Sequence, residues 1–103
     1  MRALESVLRE EQARLREVEK GYVREISKLP PGSLQKKRIK EKSYPYHVVS
    51  RKGEVRCEYV GRLSPEELGR LQDNIVLRKK YKVLLKEARS SQKQIARALR
   101  GKK

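Results

Sequence analysis

The sequence predicts an α+β protein: a long antiparallel, coiled-coil-like helical hairpin with a small three-stranded antiparallel β-meander between the helices, in the order α-β-β-β-α. Three observations predict it. Residues 1–29 carry an apolar heptad seam, residues 44–61 alternate apolar and polar side chains about a Lys-Gly pair, and residues 65–100 carry a second helical stripe. At 103 residues the chain has the length of one domain. It divides into a helix (1–29), a meander (33–61), a second helix (65–100) and a basic tail (101–103).

In the first helix Met1, Leu4, Leu8, Leu15, Val18, Tyr22 and Leu29 occupy positions a and d of one heptad, with Glu11 and Glu25 on the remaining d positions. That 3.5-residue period marks a helix packed against one partner. Glu5–Arg9 and Glu10–Arg14 stand in the favourable i,i+4 order. Gly21 weakens the helix by about 1 kcal/mol relative to Ala. "LPPGS" ends it near Lys28, because two prolines and a glycine cannot continue it.

Residues 33–42, "SLQKKRIKEK", read as a basic edge strand, where lysines discourage pairing with other chains. Lys37 and Ile39 share one face; Leu34, Lys36, Arg38 and Lys40 share the other. Residues 44–51 and 54–61 read as a hairpin around Lys52-Gly53, with glycine supplying the positive φ of a two-residue loop. The register then pairs Arg51 with Glu54, Val49 with Arg56, Val48 with Cys57, His47 with Glu58 and Tyr46 with Tyr59. Tyr44, Tyr46, Val48, Val55, Cys57 and Tyr59 collect on one face. His47, Val49, Arg51, Glu54, Arg56 and Glu58 collect on the other. The apolar face is expected to turn inward and cover the helical seam, which makes Cys57 a small buried hydrophobe.

Ser64, Pro65, Glu66 and Glu67 form a helix start with a capping box. Leu68, Leu71, Ile75, Leu85, Ala88, Ile95 and Leu99 mark the stripe that follows, flanked by Tyr81 and Leu84 and interrupted by Arg78 and Gln92. The same two seams also suit a homodimer.

Composition bounds the function. There are 28 basic and 13 acidic residues, a net charge of +15. Residues 1–28 are nearly balanced, so the excess falls in the middle and the C-terminal half. Such a surplus points to a polyanionic partner, DNA or RNA. It also exceeds the charge of about 2–8 that keeps a small domain soluble. No apolar run reaches a membrane span and no signal peptide is evident, so a cytoplasmic location is expected. One cysteine and one histidine leave no internal disulfide and no metal ligand set, and no cofactor motif is present.

The expected nucleic-acid-binding residues are Lys36, Lys37, Arg38, Lys40 and Lys42 of the basic strand, His47, Arg51, Lys52 and Arg56 of the hairpin, and Arg78, Lys79, Lys80 and Lys82 around Tyr81. Each also has a plainer explanation. The strand lysines protect an edge, and lysines on a helix snorkel over apolar neighbours. Tyr81 and the other tyrosines serve first as packing. Lys93, Arg97, Arg100, Lys102 and Lys103 equally complement the helix dipole. His47 opposite Glu58 reads as a cross-strand polar contact, since no nucleophile, metal or glycine-rich pocket accompanies it.

Residues from Leu29 to about Leu85, with their Pro-Gly-Ser-Leu, Tyr-x-Tyr, glycine turn and Tyr-Val-Gly, resemble an uncharacterised group of short basic bacterial proteins common in clostridia-like genomes and mobile elements. The hairpin is also similar to N-terminal β-units of some transposases. No acidic catalytic triad is present, so the transposase chemistry is not implied. The resemblance implies an association with mobile DNA. Pro45 replaces a polar residue of that pattern and argues against a central strand at residues 44–46.

The expected function is therefore non-enzymatic nucleic-acid binding, mainly to the phosphate backbone. The alternative is a protein-binding regulator or inhibitor of a nucleic-acid-handling partner.

Overall fold

A computed structural model describes residues 2–101. Met1, Lys102 and Lys103 lie outside the described residues, so the first seam position and the end of the basic tail do too. The chain runs α1 (Arg2–Lys28), β1 (Ser33–Ile39), β2 (Lys42–Arg51), β3 (Glu54–Tyr59) and α2 (Pro65–Arg100). It is an α+β fold with a helical hairpin and an antiparallel sheet of order β1-β2-β3. Two compact units are formed. One joins α1 to the C-terminal part of α2 from Lys79; the other holds residues 29–78.

In the helical unit the heptad seam packs in its middle, whereas the seam residue Leu4 is 46% exposed. Leu15 of α1 and Leu85 and Ala88 of α2 are buried, and Tyr22 packs on Tyr81 with ring centroids 5.8 Å apart. Glu19 bonds Gln92 and Arg89, so contacts descend along α2 as they ascend along α1, and the helices run antiparallel. Gln92, which interrupts the apolar stripe, donates to Glu19 at 2.6 Å. Of the two acids on the α1 seam, Glu11 bonds Arg14 and Glu25 lies 3.8 Å from Lys28. Both turn to cations one helical turn onward, which spares the seam an unpaired charge.

The hydrogen bonds from Gln92 and Arg89 hold the Glu19 carboxyl below its ordinary value. A lowered folded-state pKa adds stability above the usual carboxylate range, and that contribution disappears as pH falls through the folded value. Glu19→Gln should therefore be less stable than the parent at about pH 7 and lose less on acidification to about pH 3. Urea unfolding at the two pH values checks this; parallel losses in both proteins would remove Glu19 from the acid response.

The sheet unit keeps the expected hairpin register, from Arg51↔Glu54 to Tyr46↔Tyr59. Lys52 and Gly53 both have positive φ, 48° and 81°, as a two-residue loop with the twist of its strands requires. β1 pairs with β2 from Ser33↔Val48 to Ile39↔Lys42. The basic strand ends earlier than expected. Lys40 and Glu41 form a second two-residue turn, with Lys40 at φ 58°, so Lys40 belongs to a loop and Lys42 begins β2. Pro45 sits in the central strand, contrary to expectation. Pairing with β3 stops at Tyr46, so its missing N–H faces no continuing ladder on that side, while its carbonyl accepts from Val60 N at 3.1 Å.

The larger correction concerns the apolar face of the hairpin. Val55 is 63% exposed, Tyr59 is 41% exposed, and Cys57 is exposed rather than buried. Within the sheet unit the start of α2 lies against the opposite face. There Leu34, Lys36 and Pro45, with Gln35 at the β1 edge, line a cavity of about 410 Å³ together with Pro65, Leu68, Gly69 and Gln72. Val60 and Ile75 are the buried apolar side chains of this unit. Alternation assigned side chains to two faces correctly, and the expected Ser64 cap opens α2. That cap is formed as a reciprocal pair: Glu67 N donates to Ser64 Oγ at 3.2 Å, and Ser64 N donates to Glu67 Oε1 at 3.4 Å.

Candidate nucleic-acid interface

The strand register divides the basic residues between two faces. Lys36 and Arg38 pair with Pro45 and Ser43, and so share a face with His47, Arg51 and Arg56. Lys37 pairs with Tyr44 and belongs to the tyrosine face. Lys40 and Lys52 occupy the two turns, and Lys42 opens β2. Each of these lysines and arginines is exposed.

The ion pairs decide what these cations are available for. Arg9–Glu5, Arg14–Glu11, Lys20–Glu17, Lys28–Glu25 and Arg89–Glu19 all join helical residues. Among the described residues no sheet cation has a carboxylate partner within 4.0 Å. The near balance of charge in α1 is thus consumed locally, whereas the charge of the sheet faces solvent.

The sheet is not uniformly basic, however. Around the hairpin loop an open cavity of about 640 Å³ is lined by Pro31, His47, Val49, Arg51, Lys52, Glu54, Arg56 and Glu58. The two glutamates offset much of the positive potential there. β1 contains no acid, so Lys36 and Arg38, with Lys40 and Lys42 flanking the single acid Glu41 in the adjoining turn, form the stronger anion-attracting edge.

His47 has a structural partner. It stands opposite Glu58 as the register requires, but its Nε2–H donates to the Pro31 carbonyl at 2.7 Å. A carbonyl only accepts, so the Nε2-protonated tautomer is required. His47 fastens the Pro-Pro-Gly approach to the sheet. In α2, Lys79, Lys80 and Lys82 are exposed, while Arg78 is half-buried and has an interaction partner. Tyr81 is committed to Tyr22, so it is packing.

Lys37 is the residue whose surroundings the sequence disclosed least. Its Nζ lies 4.8 Å from the Tyr46 ring centroid and donates to Cys57 Sγ at 3.7 Å. Tyr59 lies beside both Tyr46 and Tyr44, with centroids 5.6 and 6.3 Å away. The signal for this cluster was present in Tyr-x-Tyr and its cross-strand partner Tyr59. What hid it was the expectation that the face turned inward.

No family model matches the chain, and no curated protein or solved structure matches it either. Among the described residues no group of three or more His, Cys, Asp or Glu side chains is placed to hold a metal ion. Among the described residues no helix is long and apolar enough to cross a membrane.

Proposed function

We propose that this is a non-enzymatic, cytoplasmic nucleic-acid-binding protein that grips the phosphate backbone. The observation that carries the proposal is the set of exposed sheet cations without ion-pair partners: Lys36, Lys37, Arg38, Lys40, Lys42, Arg51, Lys52 and Arg56. Lysines and arginines left facing solvent repel one another in the free protein. A polyanion relieves that repulsion and releases its own condensed counterions. Lys79, Lys80 and Lys82 add a second basic group on α2.

Fluorescence anisotropy with labelled duplex DNA and a labelled structured RNA tests it. Binding at about 50 mM salt should weaken by orders of magnitude at about 200 mM. No binding to either nucleic acid at the lower salt would refute the proposal.

A further inference from the structure

We propose that Tyr44, Tyr46 and Tyr59, with Lys37, form a stacking platform for the bases of a single-stranded nucleic acid. This rests on the nucleic-acid-binding function proposed above and adds to it the kind of strand held.

Four observations carry the assignment. The three rings stand on neighbouring strands of one face, joined through Tyr59 at centroid distances of 5.6 and 6.3 Å. Tyr59 is 41% exposed, and Tyr44 and Tyr46 are half-buried rather than sealed in a core. Within the sheet unit, the α2 start lines the cavity on the other face. Finally, Lys37 reaches over the Tyr46 ring, and Lys42 lies two residues before Tyr44 on the same face.

Tyr59 lies against the Gly61 backbone and still leaves 41% of its surface open beside the half-buried Tyr44 and Tyr46. A single strand offers what this face complements: flat bases for the rings and phosphates for the lysines beside them. A duplex offers only the phosphates, because its bases are already stacked. Charge favours this occupant over a second copy of the chain, since two molecules of net charge +15 would repel as the face closed.

Cys57 supplies a direct readout. It is the single cysteine, it is exposed, and it lies on the tyrosine face beside Lys37. The full chain is titrated with a labelled oligothymidylate of about 15 nucleotides and, separately, with a mixed-sequence duplex of about that length. Alkylation of Cys57 is followed in each complex at saturation. The oligothymidylate should slow alkylation more than the duplex does, because the duplex reaches Lys37 through its phosphates and leaves the tyrosine rings beside Cys57 open. Tyr59→Leu should weaken oligothymidylate binding about 5- to 100-fold with little effect on the duplex, and Tyr59→Phe should retain it. Circular dichroism confirms that both variants fold.

If the oligothymidylate binds but Cys57 is not protected and Tyr59→Leu matches the parent, the platform is overturned while backbone binding stands. Absence of binding to either ligand overturns both proposals. A dimer in sedimentation that Tyr59→Leu dissociates would give the face to a second copy and overturn the platform.

Discussion

Replacing Lys36, Lys37 and Arg38 together by Glu should lower affinity for duplex DNA by on the order of 500-fold at 0.1 M salt. The magnitude follows from counterion release. Each phosphate contact contributes about 0.9 to the slope of log affinity against log salt, so removing three contacts removes about 2.7 decades at that concentration. Charge reversal adds repulsion to that loss. The effect should be large because these residues stand in a strand without acids and have no ion pairs to absorb the change. The fold should survive, since all three side chains are exposed. Lys37→Glu also loses its position over Tyr46, a contact of about 0.5–1 kcal/mol at an exposed site. Anisotropy measures the affinity, and circular dichroism confirms the fold. An affinity within threefold of the parent would remove β1 from the interface.

Gly32→Ala should destabilise the chain by about 2–4 kcal/mol, a large part of the 5–15 kcal/mol that holds a typical domain together. Two effects combine. Gly32 has φ +88°, which side-chain-bearing residues avoid. A Cβ there would also overlap the Val48 carbonyl oxygen and press on Val49 Cγ2. Val48 is the partner of Ser33 at the first pair of the β1–β2 ladder, and the adjoining Pro31 carbonyl receives the His47 bond. Gly53→Ala is the comparison: its φ is +81°, yet nothing lies within 4 Å of a built Cβ. It should cost about 1–2 kcal/mol, from the backbone alone. Urea unfolding of both variants separates steric overlap from backbone strain. Equal losses would show that the Val48 contact is not rigid.

Most of the architecture was legible because local signals agreed. The heptad of α1, the Lys-Gly turn and the Ser64 capping box each set a boundary without knowledge of the rest. The β1–β2 turn was not legible, because Lys40 adopts a left-handed conformation that no glycine announced. The exposure of Val55, Cys57 and Tyr59 on the tyrosine face was not legible for a more general reason. Alternation separates two faces but does not say which one receives the next helix, and here the cavity shared with α2 is lined by Leu34, Lys36 and Pro45 with Gln35 at the β1 edge. At the candidate site, charge identified the cations, whereas pairing decided their company. Lys37 left its sequence neighbours for the tyrosines, and His47 bonds the Pro31 carbonyl.

The most direct test of backbone binding by the sheet is the slope of log affinity against log salt for duplex DNA, measured for the parent and for the Lys36, Lys37, Arg38 triple-Glu variant. The unpaired sheet cations predict a parent slope steeper than about −4, and a slope shallower by about 2.7 in the variant. A parent slope near zero, or identical slopes in the two proteins, would contradict it.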